Sequence, residues 1–194
     1  MKKNVQKIII MYGAPGGGKG TQAEIMSKKF GLIHFSTGDL FRTITKSRTD
    51  DFALKIKAQI DNGVFVSDEI VMNVLKDAIE NTILENGFIL DGFPRNSIQD
   101  DMLTVYLKEN FPQAEVKYVY LFVPEEELIN RLLLRAKDLN RPDDNIVVIK
   151  TRLDTYRKET EPIMDHLEKE GRLITIDCTS KSIPEVWEMV KELI

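Results

Sequence analysis

Short, continuous apolar runs punctuate the chain at Lys7 to Tyr12, Leu32 to Phe35, Phe88 to Leu90, Val116 to Val123 and Arg172 to Ile176. Their apolarity is unbroken rather than alternating, the pattern of strands covered on both faces, as in a parallel sheet. Between them lie charged and apolar mixtures at helical spacing: Gln22 to Phe30, Ser67 to Leu84, Glu125 to Arg135 and Ile146 to Glu170. Strands alternating with helices predict a layered α/β domain. Helix starts are signalled where Ser67 precedes Asp68, Glu69, Ile70 and Val71, and where Ser182 precedes Pro184 and Glu185. Two segments fall outside the alternation. Thr43 to Val66 is polar and helical in character but does not read as a simple crossover. Lys137 to Asn145 (KDLNRPDDN) is highly polar, and its proline should break the helical stretch on either side. Both are candidate covers over a site.

Composition narrows this picture. A chain of 194 residues, 42% hydrophobic and 30% charged, fits one domain with enough apolar material for a core. A net charge of −4 disfavours a broad footprint for nucleic acid or an anionic membrane, so any basic site must be local. Cys178 is the single cysteine, which excludes an intramolecular disulfide and leaves a zinc site only one sulfur ligand from the chain. The apolar run from Ile8 to Tyr12 is too short for a signal-peptide core or a membrane span, and a cytoplasmic protein is expected.

The strongest chemical signal is the run from Gly13 to Thr21 (GAPGGGKGT), directly after the strand KIIIMY and before the helical TQAEIMSKKF. Glycines let the backbone approach a ligand closely, so the N–H groups of Gly16, Gly17, Gly18, Lys19, Gly20 and Thr21 can face one anion at a helix N-terminus. Lys19 adds a point charge for terminal phosphates. Five glycines within eight residues exceed what a plain turn needs. Gly20 follows Lys19 where the general Walker pattern has Ser or Thr, and Thr21 comes next, which sets this loop in a subset of its class. A second strand, GFIL, ends in Asp91, the arrangement that aims a carboxylate at magnesium or its waters.

Arginines supply the remaining charge. Arg131 follows Glu127 by four and Arg157 has Asp154 and Glu161 at helical spacing, so both have ordinary local partners. The helix carrying Arg152 offers no acid three or four residues away, Arg135 stands four after Arg131, and Arg141 lies in the polar segment. Arg42 and Arg95 close the signatures STGDLFR and DGFPR, at the carboxyl ends of candidate parallel strands, where open α/β sheets bind ligands. His34 and His166 read as structural, Met26, Met72 and Met102 as core, Trp187 as packing the last helix, and Cys178 as an inert thiol.

GAPGGGKGTQ, STGDLFR, DGFPR and RPDDN, with Arg152 eight residues beyond Asp144, occur in an order and spacing that resemble the adenylate kinases of the nucleoside monophosphate kinase family, over nearly the whole chain. The resemblance implies a P-loop NTPase-type three-layer fold with a five-stranded parallel sheet in the order 2-3-1-4-5. Its core would be 1–36, 67–136 and 146–194, with a monophosphate-binding insertion at 37–66 and a short lid at 137–145. It also implies a monomer that transfers the γ-phosphate of Mg-ATP to AMP, giving two ADP, without structural zinc. Residue by residue, Gly16 to Thr21, Arg135 and the main chain at Lys181 would hold ATP. Thr37, Arg42, Val64, Phe65, Val66, Gly92, Phe93, Pro94, Arg95 and Gln99 would hold AMP. Arg141 and Arg152 would bridge the transferring group. Asn140 replaces a common glycine before the lid arginine. Asn96 is the residue that UMP/CMP kinases carry, whereas Thr37 and Gln99 follow the AMP type. UMP/CMP kinase activity and a non-catalytic ATP-binding switch remain the alternatives.

Overall fold

The five apolar runs pair as parallel strands in the order β2-β3-β1-β4-β5, the order implied by the resemblance. These strands are β1 (Lys7–Tyr12), β2 (Ile33–Ser36), β3 (Gly87–Asp91), β4 (Glu115–Phe122) and β5 (Leu173–Asp177). The computed structural model describes residues 7–139 and 145–193. Ile8, Ile9 and Ile10 of β1 and Phe88, Ile89 and Leu90 of β3 are wholly buried, because helices cover both sides of the sheet. That double cover is why their sequence lacks alternation.

α1 (Lys19–Phe30) packs with α9 (Ile183–Lys191), while α4 (Asp68–Glu80), α5 (Ser97–Asn110) and α8 (Glu161–Lys169) pack in series. Helix entries follow local side-chain chemistry. Ser36 caps α2 (Thr37–Ser47) by accepting from Asp39 N, Asp50 caps α3 (Asp51–Asp61) through Ala53 N, and Ser182 with Glu185 forms a capping box on α9. Ser67 is the N-cap of α4 but makes no side-chain cap bond.

Three expectations change. The segment 43–66 is not one helical stretch: α2 starts at Thr37, inside the STGDLFR run, and α3 follows after a break at Arg48 to Asp50. The stretch from Ile146 to Glu170 divides into α7 (Ile146–Thr155), one π-helical turn at Tyr156–Thr160, and α8. On the other side of the polar segment, α6 (Glu125–Leu139) runs through Lys137 to Leu139, beyond where the polarity suggested a break. Among the described residues no helix is long and apolar enough to cross a membrane.

Candidate functional site

The sheet register builds the site. Met11 of β1 and Ser36 of β2 both pair with Asp91 of β3, so the loops that follow these strands leave one sheet edge side by side. The chain passes from β1 to β2 on one side and later adds β4 on the other, which opens a crevice above β1. A cavity of about 410 Å³ lies there, a size suited to small-molecule ligands. Its walls include Gly16, Gly18, Lys19, Gly20 and Thr21 from the phosphate loop, and Thr37, Arg42, Asp91, Gly92, Pro94, Arg95, Gln99 and Arg152 from elsewhere. The segment Val64 to Val66 between α3 and α4 also lines it.

Within the loop, Gly18 takes φ +88°, a left-handed conformation open chiefly to glycine, and starts α1. Gly17 instead donates its N–H to Ala14 O at 2.9 Å, so this amide closes the turn and is spent there. Lys19 Nζ donates to Gly13 O at 2.7 Å and Ala14 O at 3.1 Å. Asp91 sits beside the loop: a Cβ on Gly20 would lie 3.3 Å from its Oδ2. Burial raises the Asp91 carboxyl, but contact with His34, at 3.4 Å, and the nearby Lys19 and Arg95 charges outweigh it and leave its pKa lowered. His34 thus faces the site carboxylate, although the sequence reading assigned it only to structure.

Arg95 is fixed from several sides. Its Nε donates to Gly92 O at 2.7 Å, its guanidinium lies 5.0 Å from the Phe65 ring centre, and its carbonyl accepts from Thr160 Oγ1 at 2.8 Å. Gly92 takes φ +81°, and a Cβ there would lie 2.9 Å from Arg95 Nη2 and 2.8 Å from Thr37 Oγ1, so glycine is required at this crossing. Burial lowers the Arg95 pKa to about 10; Asp91 opposes the fall, and the positive Arg152 and Arg42 deepen it. Arg42, Arg95 and Arg152, from three separate segments, line the same cavity.

Arg42 is anchored to Asp39 Oδ1 at 2.5 Å, and Thr37 Oγ1 donates to Gly92 O at 3.0 Å. Phe93 is 1% exposed and belongs to the core, leaving Pro94 at the wall. Lys181 is not among the cavity walls; its N–H donates to Cys178 O at 3.3 Å. Arg141 lies outside the described residues, as do Asn140 and the side chain of Arg135. The Arg131 pairing with Glu127 holds at 2.5 Å, yet Arg131 also reaches the cavity, and Arg157 pairs with Glu125 and Asp154 rather than Glu161. Tyr156 and Thr160, which the sequence reading passed over, enter the walls from the π-helical turn, a widened turn that re-aims side chains.

Asn96 has a local task. Its Oδ1 accepts from Gln99 N at 2.9 Å, capping α5, and its Nδ2 donates to Asp68 Oδ1 at 2.8 Å. Asn96 is not among the cavity walls, and its amide builds the loop instead, which removes the argument for a pyrimidine acceptor drawn from this residue.

A family model described as Adenylate kinase matches residues 11–172, which include the phosphate loop and all the arginines above. The chain belongs to the adenylate kinase family. Proteins named adenylate kinase from Pseudarthrobacter chlorophenolicus and Parabacteroides distasonis are each 39% identical over 186 residues, covering 96% of this chain and 95% and 96% of their own lengths. A Methanosarcina barkeri adenylate kinase is 36% identical over 212 residues, covering 96% of this chain and 97% of its own length. The protein is therefore a nucleoside monophosphate kinase of the adenylate kinase type.

Magnesium accompanies the nucleotide in such kinases. Among the described residues no group of three or more His, Cys, Asp and Glu could hold a metal by itself. A lone carboxylate beside a phosphate loop fits magnesium, which takes one or two carboxylates and completes its shell with substrate phosphates and waters.

Proposed function

We propose that the enzyme transfers the γ-phosphoryl group of Mg-ATP to AMP, giving two ADP in a reversible reaction, with the two nucleotides meeting end to end in the cavity above β1. The observation that carries this reading is the convergence of Lys19, Arg42, Arg95 and Arg152 on one cavity beside a phosphate loop. A pocket built for one nucleotide has no need of cations on the far wall.

An AMP phosphate is already ionised near neutral pH, so no general base is required. The work is to bring two polyanions together and hold the attacking oxygen in line with the leaving ADP. In this reading the phosphate loop and Lys19 hold the ATP phosphates, and Arg135 and the main chain at Lys181 complete that side. Arg42, Arg95, Thr37, Gly92 and Gln99 hold AMP, and Arg141 and Arg152 bridge the group in flight. Asp91 would hold magnesium through water, and the chemistry such an ion would supply is positive charge to offset that of the phosphates. Cations act most strongly once water is excluded. The insertion 37–66 and the lid 137–145 are assigned to that closure, which also denies the phosphoryl group to water. Action as a monomer in the cytoplasm is part of the same proposal.

The test is a coupled assay with purified protein, Mg-ATP and AMP, CMP or UMP in turn. ADP formation strictly dependent on AMP is expected, together with tight binding of a linked bis-adenosine polyphosphate that spans both pockets. ATP binding without acceptor-dependent turnover would favour the switch, and faster turnover with CMP or UMP would favour the pyrimidine alternative.

A further inference from the structure

Gln99 is 1% exposed, lines the cavity and belongs to the set proposed above to hold AMP. Its Oε1 accepts from the backbone N–H of Arg95 at 2.8 Å, and its Nε2 donates to Asp68 Oδ1, also at 2.8 Å. A carboxamide is nearly symmetric in shape, and in an indifferent pocket a half-turn about its last side-chain bond exchanges donor for acceptor. Here the half-turn would set a carbonyl oxygen against a carboxylate and an NH2 group against an N–H. Two buried hydrogen bonds would be replaced by two repulsive contacts, an arrangement folded proteins seldom contain.

Each end of the amide retains one further bonding position, a second Nε2 hydrogen and a second Oε1 lone pair. With the orientation fixed, the edge offered to a ligand is one donor beside one acceptor in a set order. Adenine meets it with N1 accepting and its 6-amino group donating. Hypoxanthine keeps the same ring shape but has N1–H donating and a 6-oxo group accepting, the reverse order.

We propose that Asp68 is a positioning residue that sharpens base specificity: together with the Arg95 N–H it locks the Gln99 amide, which then admits an amino-edged base and rejects a keto-edged one. Asp68 is not part of the cavity wall, and it reaches the base only through Gln99. Asn96 donates to the same Asp68 oxygen, so the first residue of α4 and the capping residue of α5 are tied into one clasp. The proposal rests on the AMP-acceptor reading above.

The experiment compares AMP with IMP as acceptors for wild type, Asp68→Ala and Asp68→Asn, at saturating Mg-ATP. A bidentate base contact discriminates by roughly 10-fold or more. Asp68→Ala, which removes one of the amide's two anchors and leaves only the Arg95 N–H opposing the turn, should lower the AMP-to-IMP ratio of kcat/KM by up to about that factor, with the ATP KM unchanged within about twofold. Asp68→Asn, whose Oδ1 can still accept, should keep the ratio close to wild type. An unchanged ratio in Asp68→Ala, or equal losses with both acceptors, would overturn the proposal. Wild-type protein inactive toward AMP would instead sink the acceptor reading and the proposal with it. If Asp68→Ala does not fold, side-chain amide exchange in nucleotide-free wild type decides: one Gln99 Nε2 proton should be protected from solvent, and free exchange of both would refute the lock.

Discussion

Replacing Arg95 by Met should stabilise the nucleotide-free protein while destroying its activity. The substitution keeps an unbranched stem and leaves the backbone bonds to Gln99 and Thr160 in place, but removes a charge that burial and two neighbouring arginines disfavour. The Arg95 pKa falls to about 10, well below the ordinary guanidinium value, and at about 1.4 kcal/mol for each tenfold change in proton affinity this corresponds to about 3 kcal/mol. The sign follows from the direction of the fall. Below pH 10 the group is charged in both states, so the folded state carries the full penalty, which fades as pH rises above about 10. Losing the bond to Gly92 O costs about 1 kcal/mol, and losing the contact with Phe65 costs about 0.5–1 kcal/mol more. The net gain is about 1 kcal/mol, a rise in Tm of about 2–4 °C for a chain of this size. Scanning fluorimetry without nucleotide measures it, and AMP-dependent ADP formation should fall on the order of 100 to 1000-fold in the same variant. A Tm below wild type would show that the guanidinium is a net structural asset, and the account of a cation waiting for phosphate would be wrong.

Arg152→Ala should lower turnover on the order of 100-fold while changing the ATP KM far less, because its partner is the transferring group; steady-state kinetics with ATP varied would show unchanged turnover if it has no part in catalysis. Burial pushes the Cys178 thiol up to about 11, so at pH 8 the native protein should resist a disulfide reagent and react at once when unfolded, and rapid native labelling would contradict its placement. Ser182→Ala removes one half of the capping box on α9 and should cost about 1 kcal/mol of stability without touching kinetics, as read from urea melts and the coupled assay.

The strands and the phosphate loop were legible because both depend on local signals: unbroken apolar runs such as Ile8 to Met11, and a glycine cluster beyond what a plain turn needs; the order of the strands, which is not local, came only with the family resemblance. The meeting of Arg42, Arg95 and Arg152 was legible in outline, since STGDLFR and DGFPR each follow a strand. Less visible were contacts whose partners are far apart in the chain. Nothing near His34 signals Asp91, and nothing near Asp68 signals Gln99, because register and helix packing bring them together. The π-helical turn also escaped the sequence reading: Tyr156 to Thr160 has the same mixed composition as the helices on either side, and only the path of the chain past Arg95 distinguishes it. Asn96 misled for another reason. The same amide suits a helix cap and a base-reading edge, and only its place outside the cavity wall, capping α5, tells the two apart.

The pairing of Met11 and Ser36 with Asp91 has an evolutionary corollary. Segments beyond the strand ends can lengthen, shorten or change composition without disturbing that row, so substrate preference is open to drift there. Deleting one residue within β3 would be different in kind. Successive side chains alternate between opposite faces, and the deletion would send the carboxylate to the wrong face of the sheet. Descendants of this chain should therefore vary in their loops while keeping the spacing of their strands.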